Sequence, residues 1–317
     1  MDYKITELEK DQRFDRFLRK YLKENKEIKL WEIYKMIRKW IIKVNNKKHK
    51  DDYRLEEYDI VNLPDNIVIN ETKKDKLSKF PSEKIKEMIL YEDKNYIFFN
   101  KPAWITIHWW NKHMKDLTMN SFLEKYVKET WIKCSSIFSP AFCFRLDKDT
   151  SWVLIAWKNY DSLKYLNNLI KEHKTDKIYI AVVVWKAKDM EIELPLKKVF
   201  DKKNGRSKVI ASEDWNYAKT FIKTIKSKKD DYLSYMSLVQ AKLLTWRMHQ
   251  IRVHLSEKKL PIVWDLMYTD PIINRLAKKH YNITRQLLHS WKYSFEYKWK
   301  IYNVKAPIPE DFIKLFE

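Results

Sequence analysis

Glycine is almost missing from this sequence: 317 residues contain one, against fourteen tryptophans. Ordinary usage of about 7% would give roughly 22. A mixed globular chain needs glycine wherever φ turns positive or backbones approach closely, so the shortage is physically awkward. Cysteine is scarce too. Cys134 and Cys143 are too few for a disulfide scaffold and lack metal-ligand spacing, which points to a reducing, cytoplasmic compartment. No run of eighteen apolar residues occurs, and the opening MDYKITELEKDQR has no apolar signal core. Membrane-spanning and secreted readings fall away.

What is present is positive charge and aromatic bulk. Lys and Arg number 64 against 43 Asp and Glu, a formal net charge of +21. Such an excess marks a polyanionic partner, most simply nucleic acid. Hydrophobic residues make up 45% and aromatics 15%, enough to bury a core and exclude wholesale disorder. The length suits a small domain followed by one of catalytic size.

Residues 12–64 read as the small domain. Phe14, Phe17, Leu18, Tyr21 and Leu22 share one helical face, with cations on the other. A second helix spans Ile33 to Lys39, followed by Trp40, a short strand in IIKVNNKK, and a closing strand in YRLEEYDIVNLP. Residues 65–88 are polar, lysine-rich and weakly periodic, a linker. From 89 to 317 the character is that of an α+β domain with a mixed or antiparallel sheet. ILYEDKNYIFFNKPAW, IYIAVVV, MSLVQAKLL and IRVHL are strand candidates, and 161–173 (DSLKYLNNLIKEH) is a helix.

The densest chemistry is Phe144-Arg145-Leu146-Asp147-Lys148-Asp149-Thr150-Ser151 before the apolar run VLI. Arg145 and Lys148 favour an ionised Asp147, which suits a nucleophile or base and not a general acid. On composition alone, a charged turn entering a strand is the better account.

The wording of the motif adds more. R-L-D-K-D-T-S-x-V-L-I resembles the H-R-L-D-x-x-T-S-G-L-L motif of the RluA-type pseudouridine synthases. Further motifs keep that family's order: Asn100-Lys101-Pro102, Lys177-Ile178-Tyr179-Ile180-Ala181, Thr245-Trp246-Arg247-Met248-His249-Gln250-Ile251-Arg252-Val253-His254, Pro261-Ile262-Val263-Trp264-Asp265 and Leu288-His289-Ser290. Residues 12–64 are similar to the S-four-like RNA-binding domain, matching at Arg13, Asp15, Phe17, Leu18, Ile37, Arg38, Lys39, Val44 and Asn45. The resemblance covers roughly 12–316. It implies a pseudouridine synthase-type catalytic domain, mainly antiparallel, behind a small α/β RNA-binding domain.

By resemblance, Asp147 is the catalytic aspartate that attacks the target uridine and detaches uracil, which turns and rejoins its ribose through C5 with no cofactor and no metal. Tyr179 corresponds to the tyrosine beside the flipped base, Arg252 to the basic residue paired with the aspartate. Arg145 corresponds to the arginine filling the gap left by the extruded base. Arg247 and His249 join the RNA-binding candidates, and Arg16, Lys20, Arg38 and Lys39 are placed to grip phosphates. His108, His249, His254 and His289 hold family positions that suggest structural hydrogen bonding. Phe144 replaces the family's usual histidine. The implied partner is RNA, ribosomal before transfer RNA, met by a cytoplasmic monomer. The rival reading is a catalytically silent RNA-binding or ribosome-assembly protein.

The family's glycines coincide with tryptophans here, at 40, 104, 152, 246 and 264, and Trp109-Trp110 stands where Gly-Gly is frequent. That pattern is expected of a bacterial gene whose UGA codons mean glycine, translated with a table that reads them as tryptophan. UGG at 152, 246 and 264 would overturn it.

Overall fold

The computed structural model describes residues 2–7, 9–22, 28–64, 81–107, 118–130, 140–143, 150–201, 206–213 and 215–317, the side chains of Trp152 and Arg206 excepted. The chain packs as two compact units. One comprises Met1–Lys86, Asn120–Ala141 and Trp157–Lys164; the other comprises Glu87–Met119, Phe142–Ala156 and Tyr165–Glu317.

The chain opens with β1 (Asp2–Lys4), α1 (Phe14–Tyr21), α2 (Leu30–Arg38), β2 (Lys43–Val44), β3 (Ile60–Asn62) and α3 (Ser82–Glu87). Then come β4 (Ile89–Glu92), β5 (Tyr96–Lys101), α4 (Met119–Glu129), β6 (Ala141–Phe142), β7 (Ser151–Trp157) and α5 (Tyr160–Lys171). A run of strands follows: β8 (Asp176–Val184), β9 (Met190–Glu193), β10 (Leu196–Asp201), β11 (Arg206–Ala211), β12 (Lys219–Asp230) and β13 (Ser234–Leu243). Last are α6 (Gln250–Glu257), α7 (Pro271–Tyr281), β14 (Leu288–Tyr297), β15 (Lys300–Lys305) and α8 (Glu310–Ile313).

In the first unit, α1 and α2 pack with a small sheet ordered β1-β3-β2. The five apolar residues of the first helical segment, 14, 17, 18, 21 and 22, are all buried, against Ile33 and Ile37 of α2 and Val44 and Val61 of the sheet. Asp15 is buried beside them. Its carboxylate accepts from Arg13 (3.0 Å), Arg19 (3.1 Å) and the Tyr34 hydroxyl (3.1 Å), tying α1 to α2. Burial opposes ionisation there, but the Tyr34 and Arg13 hydrogen bonds outweigh it and hold the carboxyl below its usual range.

The second unit is built on a ten-stranded sheet ordered β4-β5-β7-β14-β8-β13-β12-β9, with β15 on β14 and β6 on β7. The β7–β14 pairing is parallel, His289 facing Ser151 and Ser290 facing Trp152; the β8, β12, β13 and β15 pairings are antiparallel. The fold is therefore α+β with a mixed, mainly antiparallel sheet. β10 and β11 form a separate hairpin. No helix among the described residues is long and apolar enough to cross a membrane.

One expected strand is corrected. IRVHL is the middle of α6, not a strand. Gln250 through Leu255 are all buried, so the polar residues there are packed inside and no polar face marks the period.

The tryptophans occupy unusual backbone. Trp40, Trp185, Trp264 and Trp299 have φ of 60°, 78°, 62° and 67°, the left-handed region that costs an ordinary side chain about 1–2 kcal/mol. Two of these sites belong to motifs with a defined residue preference. Trp40 follows α2, where Trp40 N–H donates to Ile37 O (3.0 Å) and Ile41 N–H to Met36 O (3.0 Å). That is the Schellman helix ending, whose left-handed residue is usually glycine. Trp299 is the second residue of the two-residue loop between β14 and β15; Tyr297 and Lys300 pair across it, and Lys298 also has positive φ, 45°. Such type I′ loops favour Asn-Gly and Asp-Gly.

Candidate active site

Asp147, Arg145 and Phe144 lie outside the described residues, as do His108, Trp109 and Trp110. The frame on either side of them is described. Thr150, at the exit of the Arg-Leu-Asp motif, is buried, and Ser151 begins β7. Tyr179 is buried in β8, between Ala241 of β13 and Ser290 of β14. The backbone there is knitted to two distant segments: Val263 N–H donates to Val182 O (2.9 Å), Val182 N–H to Leu287 O (3.1 Å) and Leu287 N–H to Val263 O (3.1 Å).

Arg252 is on α6 and nearly buried. Resemblance pairs it with Asp147; the carboxylate found on it among the described residues is that of Asp265. Nε reaches Oδ2 at 2.7 Å and Nη2 reaches Oδ1 at 2.8 Å, a bidentate geometry that fixes the guanidinium plane. Asp265 is fully buried and also accepts from the Met267 (3.0 Å) and Tyr268 (3.2 Å) amides and from Gln286 Nε2 (2.7 Å). A guanidinium carries five donors, so this clamp is compatible with serving a second carboxylate.

The Thr-x-Arg-x-His-Gln-Ile-Arg motif has a local explanation. Gln250 Oε1 accepts from Thr245 Oγ1 (2.9 Å) and the Arg247 amide (3.0 Å), while its Nε2 donates to Lys219 O and Thr220 Oγ1 (3.0 Å each). One amide thus shapes the turn into α6. His249 takes left-handed φ (54°) and its Nδ1 lies 2.8 Å from the Tyr268 hydroxyl, whose ring stacks 5.0 Å from the Arg252 guanidinium. Arg247 is exposed, its Nε donating to Tyr217 O (3.2 Å). His254 bridges Thr220 Oγ1 (2.9 Å) and Leu194 O (3.0 Å), a structural role. Among the described residues no three His, Cys, Asp or Glu side chains gather as a metal cluster.

His289 Nδ1 lies 2.8 Å from Ser151 Oγ. Burial, and then the nearby Arg285 charge, push its pKa down to about 4. The unfolded imidazole titrates near 6.5, so between those values the unfolded chain binds more protons. Stability is expected to fall as pH drops from about 6.5 toward 4. His289→Gln should flatten that limb in urea unfolding measured across pH; an unaltered slope rejects the assignment.

Lys177 is buried two residues before Tyr179, its Nζ 3.3 Å from the Trp246 ring centroid, and burial pushes its pKa down to about 7. Arg16, Lys20, Arg38 and Lys39 are exposed on α1, α2 and the α2 cap of the first unit. Two contributors had no sequence signal of their own: Gln286, and Arg285, which binds Asp311 through Nε and Nη2 at 2.6 Å each.

Residues 95–257 match the RNA pseudouridylate synthase family. Over 313 residues the chain is 32% identical to the ribosomal large subunit pseudouridine synthase C of Buchnera aphidicola subsp. Baizongia pistaciae, covering 98% of this chain and 93% of that one. The enzyme of that description from Escherichia coli is 29% identical over 318 residues, 96% and 92% of the two chains. Among solved structures, human RNA pseudouridylate synthase domain containing 4 superposes with a TM-score of 0.57 at 22% identity, covering 73% of this chain and 92% of that one, a likeness of fold.

Proposed function

The chain belongs to the RNA pseudouridylate synthase family, and on that premise we propose that it converts specific uridines of large-subunit ribosomal RNA to pseudouridine with Asp147 as nucleophile. It is an RNA isomerase. The observation that carries the ribosomal assignment is that relatives named for the large subunit align with essentially the whole chain, the first 90 residues included. The net change breaks the N1–C1′ bond, forms a C5–C1′ bond and moves a proton from C5 to N1, so atoms and electrons balance without cofactor or metal. Asp147 attacks the extruded nucleotide, Tyr179 lies beside the base, and Arg252 holds the aspartate ionised. Arg145, Arg247 and His249 contact the RNA around the extruded base. Extrusion from the stack precedes chemistry, and single-stranded loops make it cheap.

Residues 12–64 act as an RNA-binding domain, joined through 65–88 to the catalytic domain 89–317. Supporting this, the four exposed cations Arg16, Lys20, Arg38 and Lys39 sit around one small core. Changing all four to Gln should weaken RNA binding and reduce the slope of log affinity against log salt by about 0.7–0.9 for each phosphate no longer neutralised. Unchanged affinity and slope remove the role. The enzyme works as a cytoplasmic monomer, with light scattering as the check on its mass.

The residue printed as tryptophan is glycine in the cell at most or all of the fourteen positions. Left-handed backbone at Trp40 and Trp299, in motifs that favour glycine, supports this reading independently of any family pattern. Exposure adds to it: six of the ten tryptophans with described side chains are exposed, Trp299 at 95%.

A further inference from the structure

Four buried side chains form one continuous hydrogen-bonded chain. Thr150 Oγ1 donates to Gln286 Oε1 (3.2 Å), Gln286 Nε2 donates to Asp265 Oδ2 (2.7 Å), and Asp265 receives Nε and Nη2 of Arg252. The direction of the amide is dictated by chemistry. An ionised carboxylate only accepts, so Gln286 must present its NH2 to Asp265 and its carbonyl to Thr150. No member can turn without leaving a buried polar atom unsatisfied, at a cost of about 1–3 kcal/mol.

We propose that Gln286 is a positioning residue for the isomerisation, locking the exit of the Asp147 segment to the carboxylate that orients Arg252. Thr150 follows Asp147 by three residues. Arg252 is 13 residues from Asp265 on a separate element. Gln286 is the one side chain among the described residues that bonds to both Thr150 and Asp265, so the link from the Thr150 end of that segment to the carboxylate on Arg252 runs through it. The inference rests on the reading of Asp147 and Arg252 given above.

The test uses the full chain, comparing single-turnover rates with RNA dissociation constants. Gln286→Leu, which keeps bulk and removes both hydrogen bonds, should slow the rate about 10–100-fold with affinity changed less than twofold. The acid limb of its pH–rate profile should move upward as Arg252 loses alignment. Thr150→Val should be similarly slow, and Thr150→Ser, which restores the hydroxyl, should recover the rate. Combining Gln286→Leu with Thr150→Val should be no slower than the worse single change. A Gln286→Leu enzyme with wild-type rate and pH profile overturns the proposal. So does a Thr150→Ser enzyme as slow as Thr150→Val, and that pair decides the matter if Gln286→Leu does not fold. Asp147→Ala in parallel separates the two levels. If it retains full activity, the reading of the nucleophile fails; if it is dead while Gln286→Leu is normal, only the positioning role fails.

Discussion

Alanine at position 147 is expected to cut pseudouridine formation by at least about a thousand-fold, the scale on which removal of an attacking group is felt, with RNA affinity retained. The substitution deletes the only atoms assigned to bond with the nucleotide, while the buried frame of Tyr179, Arg252 and Asp265 is untouched. Removing a negative charge from a chain of net charge +21 also does not weaken its hold on phosphates. The check is a pseudouridine map of bulk RNA from a host lacking its own enzymes, supplied with the glycine-decoded gene or its Asp147→Ala version. Loss of marks in large-subunit RNA alone supports the proposal. Identical maps reject the enzymatic role of Asp147, and marks confined to transfer RNA reject the ribosomal substrate.

The second large effect concerns the tryptophans. Setting Trp40, Trp185, Trp264 and Trp299 to glycine together should stabilise the chain by about 4 kcal/mol in urea unfolding: each left-handed site returns about 1–2 kcal/mol, less the extra freedom glycine gives the unfolded chain. Against a typical total of about 5–15 kcal/mol that is decisive. The penalty falls mainly on the backbone, because Trp40, Trp185 and Trp299 point into solvent and do not overfill a core. Removing exposed indoles should also lessen aggregation. Equal or lower stability of the quadruple variant, or UGG codons at these positions, rejects the recoding; intact mass of the native protein gives an independent answer.

The sequence makes visible what depends on local period and on motif wording. The apolar stripe of α1 and the strands at 96–101, 176–184 and 234–243 need only nearest neighbours. α7 is not among the expected helices, since its marks lie at its ends and not in its period: Asp270 caps it by accepting from Ile272 N–H (2.7 Å), Pro271 opens it, and left-handed Asn282 closes it. α6 reads as a strand because burial on all sides erases its helical period. At the site, Tyr179, Arg252, Asp265 and Thr150 all stand in recognisable motifs, but the bonds that join them across the chain do not show there. Asp265 meets Arg252 across 13 residues and Gln286 meets Thr150 across 136. An uncharged glutamine in an irregular segment carries no local mark of either bond.

The parallel pairing of β7 with β14 has a consequence for how the enzyme comes into being. Ser151 aligns with His289, and Thr150 bonds to Gln286, so β7 is completed by chain made long after it. Non-local pairing of this kind is slow to form, since loop closure must precede its reward. During synthesis, Thr150 and Ser151 emerge well before Gln286 and His289, their partners. A nascent chain that ends before His289 lacks this pairing, while the residues of the first small core are already made. On the function proposed above, capture of RNA by the first domain and competence to modify it are thus separated in time within one polypeptide.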